Sequence, residues 1–451
     1  MKFYFKGLLQ KSGWLENIIV ETDAAGRLVS IVERDDITEE FKDYAIPGFQ
    51  NAHSHAFQYA MAGLAENHSS SAGRDDFWSW RKAMYKLALS VNPDQFEAIA
   101  TMLYSEMLRH GYTNVAEFHY LHHDKNGKPY DNLAEMGARL VNAAQKIGIH
   151  ITLIPIFYQK GGFGKAPEPD QRRFISETFE DYRKLYEATE KVCGLYEYAN
   201  IGVGIHSMRG VEPDVIKRVS EEFPQDVPFH IHISEQLKEV DDCKDYLGKR
   251  PVEWMIENVE LSDRFHFVHA THINQMEIKG LAKAGVNVVL CPTTEGNLGD
   301  GIFPLRQFQD AGGSWSIGTD SHVSLNPLEE LRLLDYGQRL ISHMRDTFTE
   351  ESNGNSACFA IRKATNAGRK AMNNSSAKYF EIGEPFNACV ISEKHPLIKT
   401  TSFENLLNTI VYSSDETMQS GAIVAGESYS ENDRHEILVE FAGVIEELKS
   451  R

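Results

Sequence analysis

Cysteine is scarce in this chain of 451 residues. Cys193, Cys243, Cys291, Cys358 and Cys389 are odd in number and widely spaced, and no two form a CxxC pair. Neither a disulfide framework nor a cysteine zinc site is indicated by that spacing. Positive charge is also short: 46 Lys and Arg stand against 65 Asp and Glu, a formal charge of −19. Nucleic acid and anionic membrane both demand basic patches, so neither is expected as a main partner. No apolar run approaches the ~18 residues of a membrane span. The N-terminal stretch MKFYFKGLLQKSGWLEN lacks the apolar core and cleavage site of a signal peptide. No internal repeat is found. What remains is a soluble cytoplasmic enzyme or binding protein. It has 42% hydrophobic residues to fill a large core, and 18 His are its informative excess.

Short apolar runs alternate with helical stretches along the chain. Eight candidate strands are 46–53, 113–120, 150–157, 200–206, 228–234, 265–271, 286–292 and 314–321. Each is almost continuously apolar, as parallel strands buried on both faces must be. Asn92-Pro93 supplies an N-cap and a first-turn proline. Phe96, Ile99, Ala100, Leu103 and Met107 then follow at helical spacing until Gly111. Glu212-Pro213 and Asn326-Pro327 start two further helices in the same manner. Eight βα units predict an α/β fold, a (β/α)8 TIM-like barrel over 46–375 with its active site at the C-terminal strand ends.

The two ends predict a small flanking β-sandwich. Residues 1–45 contain WLENIIVETDAAGRLVSIVE, two strands around a Gly-containing turn. Residues 376–451 contain the strand-like ACVIS and NTIVYSS, and then a helix carrying Ile437, Phe441, Ile445 and Leu448. The Gly-, Ser- or Pro-rich stretches 68–73 and 161–169 are candidate lids or plain surface loops.

Histidine gathers at the predicted strand ends. His53-Ser54-His55 ends the first strand, and residues two apart on a strand face one side, so both imidazoles can meet one metal ion. The fourth strand ends in His206-Ser207-Met208-Arg209, the fifth in His230-Ile231-His232-Ile233-Ser234-Glu235, and the sixth in His269-Ala270-Thr271-His272. The eighth ends in Gly318-Thr319-Asp320-Ser321-His322. An isolated HxH is more often structural; its company at the same end of so many strands favours a metal site. Three neutral imidazoles and a carboxylate suit Zn2+ or Fe2+, and such an ion makes a bound water acidic enough to ionise near neutrality.

Longer blocks carry a resemblance. PGFQNAHSHAFQYAMAGLAE (47–66), FWSWR (77–81), AEFHYLHHD (116–124), GIHSMRGV (204–211), HIHISEQ (230–236), VHATH (268–272), CPTTEGNLGDGIFP (291–304) and GTDSHVSLNPLEELRLLDYGQRL (318–340) are the stretches concerned. Together they resemble the amidohydrolase superfamily and, within it, the formimidoylglutamate deiminases of histidine degradation. The likeness runs from about residue 45 to 345 and weakens in the termini.

The resemblance implies roles for individual residues. His53, His55, His232 and Asp320 would hold one divalent ion, Zn2+ first and Fe2+ second. His230 rivals His232, but the deaminase pattern sets the ligand three residues before the catalytic Glu, which selects His232 with Glu235. Glu235 would carry a proton from the attacking water to the departing nitrogen. His269 would polarise the nucleophile or stabilise the tetrahedral centre, and Asp320 could also accept the water proton. The fourth strand end carries His206 and no Lys, which favours a mononuclear site. Arg81 and Arg209 suit carboxylates, and Gln58, Tyr120 and His206 would complete the substrate pocket. The implied reaction converts N-formimino-L-glutamate and water to N-formyl-L-glutamate and ammonia. The implied partners are a substrate with a glutamate moiety and a second copy of the chain in a homodimer.

Two readings compete with this one. The same site could deaminate another amidine or a guanine-type heterocycle, although such a substrate has little use for two arginine clamps. A non-catalytic barrel would be expected to have lost ligands. Elsewhere, His122, His123 and Asp124 are expected in a solvated loop, and His68, His110 and His343 on the surface. Cys291 is expected to pack rather than to act as nucleophile, and Phe77, Trp78 and Trp80 to pack.

Overall fold

The computed structural model describes residues 1–34, 41–64, 66, 77–350, 354–374, 376, 378–429 and 434–449. The candidate lid 68–73, with His68, lies outside them, as does the side chain of Trp78. Strands β1 (Lys2–Gln10), β2 (Gly13–Thr22), β3 (Leu28–Glu33) and β4 (Lys42–Pro47) open the chain. Next come β5 (Phe49–Ser54), β6 (Tyr112–His119), β7 (His150–Phe157), β8 (Ala199–Ile201), β9 (Val203–Ser207), β10 (Phe229–Ile233), β11 (Phe265–His269), β12 (Asn287–Leu290) and β13 (Ser314–Ile317). The last strands are β14 (Ala388–Ile391), β15 (Gln419–Val424) and β16 (Glu427–Ser428).

β5, β6, β7, β9, β10, β11, β12 and β13 neighbour one another in that order, all parallel, with β8 an addition to β7. Closure comes at the seam between β5 and the segment after β13. There the Thr319 and Asp320 N–H groups donate to the His53 carbonyl at 3.1 and 3.0 Å, and His55 N–H donates to the Asp320 carbonyl at 3.2 Å. The result is a nearly closed (β/α)8 barrel with helices outside it. The flanking β-structure takes the form of one seven-stranded sheet drawn from both termini, ordered β16-β15-β14-β4-β1-β2-β3.

The helix Pro93–Arg109 starts on a capping box: Asn92 Oδ1 accepts Gln95 N–H at 2.8 Å, and Gln95 Oε1 accepts Asn92 N–H at 3.1 Å. Its face of Phe96, Ile99, Leu103 and Met107 is buried.

Five predicted elements come out differently. The run 46–53 splits at Gly48, with β4 in the small sheet and β5 in the barrel. A Cβ at Gly48 would lie 2.3 Å from Thr113 Cγ2, so the chain passes between sheets where only glycine fits. The run 200–206 breaks at Gly202 into β8 and β9. NTIVYSS belongs to the helix Phe403–Ser413; its buried Leu406, Leu407, Ile410 and Val411 follow helical spacing, which overrides the β-branched character of Ile410 and Val411. The runs 265–271 and 314–321 stop early, at His269 and Ile317. Ala270 and Asp320 have φ of +47°, which strand geometry excludes.

Gly318 sits in the closing seam, where a Cβ would lie 2.8 Å from His53 Cβ and 2.9 Å from His53 N. Gly318→Ala is expected to force β13 away from β5 at a cost of about 1–3 kcal/mol. Calorimetry should show a Tm lower by a few degrees; an unchanged Tm would mean that the seam yields without cost.

Candidate active site

Side chains from four strand ends meet at the mouth of the barrel. His53 Nε2 lies 3.1 Å from His55 Nε2 and 3.0 Å from His232 Nε2. Asp320 Oδ1 lies 3.5 Å from His53 Nε2 and 3.2 Å from His55 Nε2. All four residues are buried. His55 Nδ1–H donates to the Phe118 carbonyl at 2.9 Å, and His232 Nδ1–H to the His206 carbonyl at 3.0 Å. A neutral imidazole that donates through Nδ1 has only a lone pair at Nε2. Burial, as the main cause, holds His53 down to about 3 and His232 well below the ordinary histidine range, so protonation does not relieve the crowding. Lone pairs and a carboxylate thus converge in a dry pocket, an arrangement that fits a cation among them. Three neutral nitrogens and one carboxylate oxygen are a donor set for Zn2+ or Fe2+.

His230 does not reach this cluster. It faces the same side of β10 as His232, but two residues earlier, roughly 6–7 Å deeper in the barrel. There its Nε2–H donates to the Ala371 carbonyl at 2.9 Å, and its ring stacks on His266 at 4.7 Å.

Glu235 and His269 stand beside the cluster. His269 Nε2 lies 3.6 Å from Glu235 Oε1 and 3.6 Å from Asp320 Oδ2. On its other side, Nδ1–H donates to Glu295 Oε1 at 3.2 Å, an oxygen that also accepts Cys291 N–H at 2.9 Å. Burial alone would lower His269, but the carboxylates of Glu235, Glu295 and Asp320 outweigh it and raise the imidazole to about 10. Burial also raises the Glu235 carboxyl. A buried carboxyl 3.6 Å from an imidazole is a candidate pair for proton exchange. Ser234, His269, Ala270, Asp320 and His322 all have positive φ. Such backbone is strained for residues other than glycine and persists only where the surroundings enforce it, as at functional sites.

The adjoining cavity brings together Gln58, Arg81, Tyr120, His206 and Arg209 with Glu235 and Asp320. Gln58 Nε2 donates to Tyr120 Oη at 2.8 Å. The His206 ring stacks on Tyr158 at 4.1 Å. Arg209 is buried, its Nη1 3.6 Å from Glu239 Oε2. Arg81 Nη2 lies 3.6 Å from Glu168 Oε1, so the segment 161–169 reaches the edge of the cavity.

Phe77 and Trp80, expected to pack, line the cavity too, with Met84, Tyr85, Tyr158 and Leu298. Tyr158 ends a strand as Tyr120 does, a signal that could have found it. Met84 and Tyr85 follow Arg81 by one helical turn and carry no other mark. Supporting carboxylates were also missed. Glu117 accepts Ser54 Oγ–H and Ala56 N–H, both at 2.6 Å, and Tyr104 O–H at 3.2 Å, and so pins the backbone around His55. Glu239, one helical turn after Glu235, accepts the Glu235 N–H at 3.1 Å.

Other expectations need correction. His122 is not solvated: it is buried, and its Nε2–H donates to the Ile156 carbonyl at 3.0 Å. His123 is half-buried and donates to the Ile175 carbonyl at 2.8 Å, while Asp124 caps its own turn through the N–H groups of Asn126 and Lys128. His110 is buried because Gln419 of β15 covers the helix end there, donating to the His110 carbonyl at 3.1 Å. His343 is exposed and Cys291 buried.

The model of the amidohydrolase family matches residues 44–428. The chain is 39% identical to the formimidoylglutamate deiminase of Pseudomonas aeruginosa over 432 residues, 95% of this chain and 94% of that protein. It is 25% identical to the 8-oxoguanine deaminase of the same species, over 65% of this chain and 64% of that one. A crystal structure of an amidohydrolase from Brucella melitensis is similar at a TM-score of 0.91 and 38% identity, with 99% of each chain covered. A guanine deaminase from C. acetobutylicum shares the fold at a TM-score of 0.73 and 17% identity, over 94% of this chain and 99% of that one. With the closed barrel and the clustered strand ends, these matches lead to one conclusion: the chain belongs to the amidohydrolase family.

Proposed function

We propose that this protein is a metal-dependent hydrolase that deiminates N-formimino-L-glutamate to N-formyl-L-glutamate and ammonia, as a step of histidine degradation. The observation that carries this reading is that one cavity holds two arginines, Arg81 and Arg209, together with Glu235 and Asp320. The glutamyl moiety is a dianion, and two guanidinium groups in an acidic protein supply the cations it needs. Guanidinium grips carboxylate through two parallel hydrogen bonds. The near full-length likeness to a formimidoylglutamate deiminase supports the same substrate.

His53, His55, His232 and Asp320 would hold one divalent ion, Zn2+ or Fe2+. Bound there, the ion supplies an acidified water and a positive counter-charge. Glu235 takes a proton from the attacking water and delivers it to the departing nitrogen, which leaves as ammonia. His269, oriented by Glu295 through its Nδ1–H, stabilises negative charge developing beside its Nε2. Asp320 Oδ2 accepts the second proton of the water as the formyl carbonyl forms and passes it on to the departing ammonia or to solvent. Gln58, Tyr120 and His206 orient the glutamyl chain between the arginines and the reacting carbon.

An ammonia-release panel tests the reading: formiminoglutamate, guanine and 8-oxoguanine, each with and without chelator. Formiminoglutamate should be preferred and its turnover chelator-sensitive, whereas preference for a nucleobase would overturn the assignment. In the same assay Arg209→Met should raise KM for formiminoglutamate by about 10–10²-fold, the loss of one charged hydrogen-bonding partner.

We extend the proposal to a homodimer. Leu333, Tyr336, Leu340 and Ile341 form an exposed apolar stripe along the helix Pro327–Ser342, which favours self-association. Sedimentation velocity decides it. Five free cysteines support a reducing, cytoplasmic setting.

A further inference from the structure

We propose that a second, inhibitory site for a thiophilic divalent cation lies beside the first, made by His269 Nε2, Asp320 Oδ2 and the Cys291 thiolate. This inference rests on the reading of the His53/His55/His232/Asp320 cluster as the resident metal site. His269, Cys291 and Asp320 are all buried, and their ligand atoms lie within 4.8 Å of one another.

Asp320 faces two ways. Its Oδ1 addresses His53 and His55 at 3.5 and 3.2 Å, and its Oδ2 lies 3.6 Å from His269 Nε2. One carboxylate can therefore serve two neighbouring ions. His269 is prepared as a ligand, because Glu295 accepts its Nδ1–H at 3.2 Å, and a carboxylate behind the far nitrogen is the usual support of a metal-bound imidazole. His269 Nε2 is fully buried and has no hydrogen-bond partner. Glu235 Oε1 lies 3.6 Å from the same nitrogen, so an ion there crowds that carboxyl. A set of nitrogen, sulfur and oxygen suits Zn2+ or Cd2+.

The Cys291 thiol stays protonated by itself, since burial and then the Asp320, Glu295, Glu330 and Glu235 carboxyls raise it well above its ordinary range. A coordinating cation reverses this, because a metal-bound thiol is deprotonated outright. Cys291 Sγ gives its proton to solvent as the metal–sulfur bond forms, and the ion takes the Nε2 position of His269. The incoming ion occupies His269 Nε2 and Asp320 Oδ2 and crowds Glu235 beside them, so turnover stops while the resident ion stays.

The test starts from holoenzyme carrying one equivalent of metal and titrates in Cd2+. The ultraviolet thiolate-to-Cd2+ charge-transfer band, bound metal per chain, and ammonia release are read in parallel. The wild type should take a second equivalent, develop the band and lose turnover. Cys291→Ala, and Cys291→Ser as a variant of nearly unchanged volume, should keep the first equivalent and the basal turnover. Both should lose the band and bind Cd2+ at least ~10-fold more weakly. An equal band or equal inhibition in those variants, or no second equivalent in the wild type, would overturn the proposal. Failure of the underlying reading would look different: the purified enzyme would hold no first equivalent before Cd2+ is added.

Discussion

Glu235→Gln is expected to lower kcat by about 10³-fold or more while the resident metal stays bound. The size follows from losing a general acid–base group, which contributes about 10²–10⁴-fold. Glutamine keeps the shape of the side chain, and the backbone N–H that Glu239 accepts at 3.1 Å is untouched. What it loses is a carboxyl able to take a proton from water and pass it to nitrogen. Metal content by mass spectrometry should therefore match the wild type, and KM should move little, because Arg81 and Arg209 remain in the cavity. Near-normal ammonia release by this variant would remove Glu235 from the chemistry. Loss of metal together with activity would instead make it a ligand.

His232→Ala should abolish both metal retention and turnover. His232 Nε2 is 3.0 Å from His53 Nε2, and its tautomer is set by the His206 carbonyl. Removing it leaves two imidazoles and a carboxylate, a set that should bind Zn2+ at least ~10²-fold more weakly and lose it on dialysis, since even loss of an outer-shell partner costs 10–100-fold. Excess Zn2+ should restore activity only in small part. His230→Gln supplies the contrast. Its imidazole bonds the Ala371 carbonyl and stacks on His266, so the variant should lower Tm yet keep one metal per chain. If His230→Gln loses the ion and His232→Ala keeps it, the ligand assignment is reversed.

Much of the barrel was legible because its signals are local. The capping box at Asn92 and the buried face of Phe96, Ile99, Leu103 and Met107 act within a few residues, and both are present. The apolar strand runs were equally visible, but their ends were not. Ala270 and Asp320 leave strand geometry through positive φ where their N–H groups bond neighbouring strands, Ala270 to the Ile233 carbonyl and Asp320 to the His53 carbonyl, which no propensity encodes. NTIVYSS misled for a related reason: Ile410 and Val411 suit a strand by type, and only the helix they bury against the core reveals their period. His122 and His110 look like polar residues bound for solvent, yet segments distant in sequence cover both.

By itself the amino-acid sequence determined the succession of eight βα units, the paired imidazoles at residues 53 and 55, and the strand ends that carry ionisable side chains. Strand period, helix caps and turn residues express themselves over short stretches of chain. The family pattern had already selected His232 over His230, and the tertiary structure supplied the physical reason: His232 stands at the height of His53 while His230 lies a layer below. The tertiary structure alone set Glu117, Glu239 and Glu295 behind the groups they steady, and turned Phe77 and Trp80 toward the cavity. Depth along a strand and the partner across a seam depend on how a cylinder of eight strands closes, and that closure joins residues more than 250 positions apart, as Ser54 meets Asp320.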